Sequence, residues 1–389
     1  MNKKVLLSVF GAVFALVCCE YDLGYKEIWP PQEDFAPDPV ITKIVPDSAC
    51  GGVVTLKIIG RNFDPNPSLN YVCFDNVVCE VLESSDTSIT VNRPIGYYSD
   101  STEVKVVVSK AKTIPEFGPY KMEPGVVNIG GGLGEVYSFA VSRGEDIYYH
   151  KVSDKKVYRY RTGEGEVEFG SMDKKSSCMR FHPSGKLLIQ RSNYKYVYYI
   201  DTTGGEAQKF FRLPDRASYF DIGENGIYYF GGTKGLLVVS EDGSIKLETG
   251  YYVDDEVTAV RVFDDYVYVA TNNDTVVVFR NEIIREDSVS APEPYLYRAN
   301  MGKLSDVVVN DMTFSEDGVL FLGVDGDFPI LVVKEEGVEP LYEGILEGDA
   351  IRIFWGNGMY LYYARSAGED SGIYRVIAGR EGAPYYGRD

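Results

Sequence analysis

The sequence predicts an all-β protein in two parts, a short N-terminal strand module followed by a six-bladed β-propeller. Three observations carry this. Helical periodicity is nearly absent over 389 residues, while apolar and polar residues alternate in short runs. Gly (40) and Pro (18) punctuate those runs too often for a helical bundle. A turn-then-strand unit recurs at intervals near 40 residues through most of the chain.

Composition narrows the function classes. A net charge of −19 argues against any partner held by its phosphate backbone, so nucleic acid is excluded. Two histidines, His150 and His182, leave little room for His-based zinc sites or Ser-His-Asp chemistry.

The first 18 residues read as a signal peptide. Lys3 and Lys4 precede an apolar run, Val5 to Val17, that is too short to span a bilayer. Leu16-Val17-Cys18-Cys19 resembles the lipobox of bacterial lipoproteins, which implies lipidation of Cys19 and a stable membrane anchor. Residues 19–38 follow as an acidic tether stiffened by Pro30, Pro31 and Pro37. Its Glu20-Tyr21-Asp22 start resembles the export signal of surface lipoproteins in Bacteroidota, which implies an address at the outer membrane, exposed to the exterior.

Residues 39–110 form the first folded module. Val54, Leu56 and Ile58 alternate with polar residues, as do Ile89 and Val91, and Val104, Val106 and Val108. Gly60-Arg61-Asn62-Phe63 and Thr87-Ser88-Ile89-Thr90-Val91 with Pro94 sit in the order and spacing of an IPT/TIG domain. That resemblance implies an immunoglobulin-like β-sandwich acting as a spacer or scaffold. Cys50, Cys73 and Cys79 fall in this module; an oxidising envelope permits a bridge among them, with the pairing open. Residues 111–126 read as a proline-punctuated linker.

Residues 127–389 are expected to form the propeller. Ile147, Leu187, Ile227, Val267, Val319 and Leu361 mark equivalent points, each just after a Gly-, Asn- or Asp-rich turn. Each copy has one apolar strand before the turn, such as Val257 to Phe263, the strand that opens at the turn, such as Tyr266 to Val269, and two more after it, such as Thr275 to Arg280 and Glu282 to Glu286, which makes the four strands of a propeller blade. Ser288 to Lys303 reads as a long loop after the fourth blade. A count of five or seven would require residues 121–131 or the C-terminus to supply a partial blade. The repeats resemble NHL and SMP-30/gluconolactonase propellers; the Trp-Asp ending of WD40 blades is missing.

Propeller function concentrates on one end, where loops lead into each inner strand and join the two middle strands. Those positions form an acidic, amide-rich ring, from which Asn193, Arg216, Asp255, Asn273, Asp327 and Arg365 are the candidate binding residues. Gly132-Leu133-Gly134-Glu135 and Asn310-Asp311 resemble blades of SMP-30-like proteins that supply a Glu and an Asn to a divalent metal, which implies Glu135 and Asn310 as ligands. The Asp that completes such a set has no clear match, and Asp349 is the nearest candidate. Hard oxygen donors of this kind suit Ca²⁺, the one cofactor the sequence brings forward. His182 reads as a turn residue, His150 as packing, and the tyrosine pairs as strand residues whose outward rings could stack on sugars.

Two functions fit these residues. The first is a non-catalytic surface lipoprotein that binds a glycan or protein partner through the propeller face. The alternative is a metal-dependent hydrolase resembling the lactonases, for which the third ligand is wanting.

Overall fold

The structure is a computed structural model that describes residues 35–49, 53, 55–94, 99–224, 226–244, 246–285, 288–366 and 370–388. The expected signal peptide, Cys19 and most of the expected tether lie outside the described residues, as do Cys50 and Val54. Among the described residues, no helix is long and apolar enough to cross a membrane.

The first module is an immunoglobulin-like sandwich of two sheets. One sheet runs in the order Val40–Val45, Thr55–Arg61, Ser88–Asn92, Val81–Ser84. The other runs Ser48–Ala49, Glu116–Met122, Ser99–Val108, Asn70–Phe74, Val77–Cys79. The alternation seen in the sequence is the core itself: Leu56, Ile58, Ile89 and Val91 face Val72, Phe74, Val104 and Val106, all fully buried. The Gly-Arg-Asn-Phe turn has a steric cause. A Cβ on Gly60 would lie 1.9 Å from the Val40 carbonyl oxygen. Asn62 is left-handed (φ 62°) and its amide donates to the Asp38 carbonyl at 2.7 Å, while Phe63 plugs the core.

The reading of 111–126 as linker is corrected. Glu116–Met122 is an interior strand of the second sheet, with Tyr120 and Met122 buried and the Tyr120 hydroxyl donating to the Pro46 carbonyl. Gly118-Pro119 reads as a breaker, but it falls where the pairing register shifts, between Phe117 and Tyr120, so its missing N–H costs little. Cys73 and Cys79 are free thiols, and burial together with neighbouring Cys73 pushes Cys79 up to about 12.

Six further sheets make the propeller. Their inner strands are Val136–Val141, Ser176–Phe181, Tyr219–Ile222, Val257–Phe263, Val308–Phe314 and Arg352–Trp355, blades 1 to 6 in chain order. The turn after each inner strand holds a left-handed residue: Glu145, Gly185, Gly226, Asp264, Gly318 and Gly358. That requirement is why Gly, Asn and Asp recur there. The ring closes through its N-terminus. Val126–Asn128 pairs with Gly372–Ile377 and becomes the outermost strand of blade 6. The segment around 121–131 thus completes the sixth blade and adds no other.

Blade 4 differs from the expected pattern. Val276–Arg285 is one long strand where the sequence predicts two. The presumed loop at Ser288–Lys303 contains the outer strand, Glu293–Tyr297, followed by a 3₁₀ segment, Arg298–Leu304. Arg298 ties that segment down, donating to the carbonyls of Asn273, Ser305 and Val307. The extra residues extend the hairpin beyond the blade.

Candidate functional site

Each inner strand sets polar residues among its apolar ones, and the charged ones of blades 2, 3 and 4 meet. Asp221 of blade 3, 1% exposed, accepts from Arg180 of blade 2 at 3.1 Å and from Arg261 of blade 4 at 2.7 Å. The Val262 N–H adds a bond to the same carboxylate at 2.8 Å. Burial alone would depress Arg180, but the electronegative groups around it, Asp221 among them, outweigh that and hold it above its ordinary value. Asp311 of blade 5 accepts from the N–H groups of Met312 and Ile353. Its burial pushes it up against the opposing pull of Arg352 and Arg180.

The C-terminal tail fills one end of the axis. Tyr385, 2% exposed, stacks on Phe354 with ring centroids 4.1 Å apart and planes 9° from parallel. The Arg261 guanidinium lies 3.8 Å over the same ring and also donates to the Pro384 carbonyl at 2.7 Å. The Tyr385 and Thr313 hydroxyls are 2.9 Å apart. Gly382 passes so close to Trp355 that a Cβ would lie 1.9 Å from the indole, so only glycine fits.

At the loop end, the half-buried Arg352 spans the channel. Its Nε donates to the Ser177 carbonyl of blade 2 and its Nη1 to the Asn310 carbonyl of blade 5, both at 2.8 Å. The guanidinium sits 4.8 Å from the Tyr219 ring of blade 3. A fixed cation therefore occupies the mouth of the axis.

The candidate metal residues are arranged accordingly. Asn310 and Asp349 lie near each other, but the Asn310 amide donates to the Ala350 carbonyl at 3.2 Å. The Asp349 carboxylate accepts from both the N–H and the hydroxyl of Ser366. Glu135 is exposed at the start of blade 1. Among the described residues, no three His, Cys, Asp or Glu side chains assemble into a metal-binding group. With Arg352 held on the Asn310 carbonyl, this donor set does not fit Ca²⁺.

The candidate binding residues fall into separate groups. Asn193 is exposed, with its side-chain oxygen accepting from Thr233 and its N–H donating to Ser218, whereas Arg216 is exposed near the end of the outer strand of blade 2, Gln208–Ala217, and not in a loop. Asp255 and Asn273 pair at 2.8 Å, and Asn273 also accepts from the Thr275 and Val276 N–H groups, which makes it a loop brace. Asp327 is exposed on blade 5. Arg365 is half-buried beneath Gly348, 5.4 Å from the Tyr374 ring, with its Nε buried and unpaired. Asp173, Asp254, Glu256, Asp306 and Glu347 are exposed, so much of the acidic ring is solvated loop surface.

Arg180, Asp221, Arg261, Asp311, Arg352 and Tyr385 were missed in the sequence reading. The signal was a lone charge inside an apolar strand, as in Phe220-Asp221-Ile222 and Val260-Arg261-Val262. His182 holds its turn through Ser184, and His150 is buried against Ser176 at 2.8 Å.

Residues 39–119 match the IPT/TIG domain family. No curated protein matches the sequence. A candidate phosphatase from Bacteroides thetaiotaomicron is similar in structure, with 12% identity and a TM-score of 0.58, over 88% of this chain and 98% of that one. An auxiliary nutrient binding protein from the same organism aligns with 11% identity and a TM-score of 0.50, over 88% and 98%. A gluconolactonase from Xanthomonas campestris covers 64% of this chain and 88% of its own, with 10% identity and a TM-score of 0.51. The family match gives the IPT/TIG sandwich, and at such identities the structural likenesses establish the fold alone, a sandwich followed by a β-propeller.

Proposed function

We propose that this chain is a non-catalytic, lipid-anchored protein of the cell envelope that binds a glycan or a protein partner through the loop end of its propeller. The supporting observation is Arg352 across the mouth of the axis, where a lactonase would need a metal to activate water. The sandwich then serves as a spacer above a Cys19 anchor at the outer membrane. A structural relative described as a nutrient binding protein accords with this reading.

Assaying glucono-δ-lactone hydrolysis with and without millimolar Ca²⁺ tests the non-catalytic reading. The expected rate is the buffer background under both conditions. Calcium-dependent turnover that disappears in Glu135→Gln would overturn the proposal in favour of a hydrolase. For the anchor, Cys19→Ala should move the protein from the membrane fraction to the soluble fraction; retention in the membrane would refute lipidation at that residue.

A further inference from the structure

We infer that the cleft between blades 1 and 2 is a subsite for a neutral carbohydrate. The inference rests on the binding reading above and gives it a ligand class and a location. The cleft has a volume of about 290 Å³, at the small end of ligand sites, and opens beside the loops of the binding end. One wall is formed by Arg191 and Tyr198 of blade 2, with Tyr198 half-exposed on the third strand, Tyr194–Ile200. Tyr194 and Tyr198 stack with planes 24° apart. The Arg191 guanidinium lies 3.9 Å over the Tyr194 ring and donates to the Tyr198 hydroxyl at 3.3 Å. These contacts hold Tyr198 in place in the cleft wall, so little side-chain entropy remains to be lost on binding.

The opposite wall supplies hydrogen-bonding groups. Asp154 is fixed by the Tyr158 hydroxyl at 2.6 Å and the Lys156 N–H at 3.0 Å, and each of its oxygens retains a lone pair for a ligand. In charge the lining balances: Asp154, Asp173 and Glu206 against Lys155, Lys156 and Arg191. A charged ligand would meet a like charge wherever it lay. A polyhydroxylated neutral ligand uses both signs, because each hydroxyl donates to a carboxylate and accepts from an ammonium or guanidinium. The apolar face of a sugar ring then rests on the Tyr198 ring. The net charge of −19 also weighs against polyanions.

The test is affinity electrophoresis of the full chain in detergent through gels containing dextran, laminarin or galactomannan, with polygalacturonate as the polyanionic comparison. At least one neutral polysaccharide should retard the wild type. Tyr198→Ala and Arg191→Ala should each weaken that binding tenfold or more, Tyr198→Phe should retain most of it, and Asp242→Asn, in an exposed turn of blade 3 away from the cleft, should leave it unchanged. Should Tyr198→Ala lose the wild-type near-ultraviolet spectrum, Arg191→Ala and Asp173→Ala carry the test. Retardation that survives the cleft variants but is lost in Asn193→Ala or Arg216→Ala would overturn the cleft and leave the binding face standing. Retardation by polygalacturonate alone, or by none of the four, would overturn the carbohydrate assignment.

Discussion

Tyr385→Ala should destabilise the propeller more than any loop substitution, because the ring is a packing element of the axis. Deleting a buried aromatic costs about 3–5 kcal/mol in transfer and cavity terms. The desolvated cation–π contact with Arg261, at 3.8 Å, adds about 2 kcal/mol at most. The same atoms serve both, so the two overlap and about 5 kcal/mol is the working figure. Arg261 retains Asp221 and the Pro384 carbonyl, so no buried charge is orphaned and nothing larger is expected. For a unit of this size, each kcal/mol shifts the melting temperature by roughly 2–4 °C, which predicts a fall of about 10–20 °C. Tyr385→Phe keeps the ring and loses the hydroxyl's contacts with Thr313 and the Trp355 N–H, for about 1 kcal/mol and a few degrees. The assay is thermal melting followed by near-ultraviolet circular dichroism, where 31 tyrosines dominate over 2 tryptophans. A Tyr385→Ala curve that coincides with Tyr385→Phe, or with the wild type, would refute the reading of the tail as a structural plug.

Asp221→Ala should cost about 3–5 kcal/mol, since it leaves two buried guanidinium groups without their carboxylate; a urea midpoint close to wild type would count against that. His150 supplies a pH signature. Burial lowers its pKa below 6.5, so the unfolded chain takes up a proton before the folded one does. Its contribution is present above about pH 6.5 and is lost as pH falls toward the folded value. His150→Gln should flatten the decline in melting temperature between about pH 7 and 5; an unchanged slope would place the decline elsewhere.

The repeats were legible because every blade needs a left-handed residue after its inner strand, and Gly185, Gly226, Asp264, Gly318 and Gly358 announce it. In the sandwich, Leu56, Ile58, Ile89 and Val91 were legible because alternation reports directly which face is buried. Glu116–Met122 was hidden by Gly118-Pro119, whose tolerance depends on a register shift that only the partner strand reveals. The axial network was hidden for a related reason. Alternation assigns Arg180, Asp221 and Arg261 to a face, but not to one another, since each comes from a different blade. Candidate ligands chosen by loop position met a similar fate. Asp349 and Asn310 occupy suitable places, yet Ser366, Ala350 and Arg352 engage them locally, and nothing in a linear pattern marks such neighbours.

Closure through Val126–Asn128 has a kinetic consequence. Val126 is synthesised early, and its partner Val376 emerges from the ribosome only near the end of the chain. Until then the nascent ring is an open arc, with blade 1 lacking a neighbour on one side and the buried charges of the axis lacking their tail. Pairings of such wide sequence separation form slowly, and unpaired edges invite association with other chains. Ring closure is therefore set by delivery of the strand Gly372–Ile377. Truncations that remove this strand should appear first as loss of folded yield.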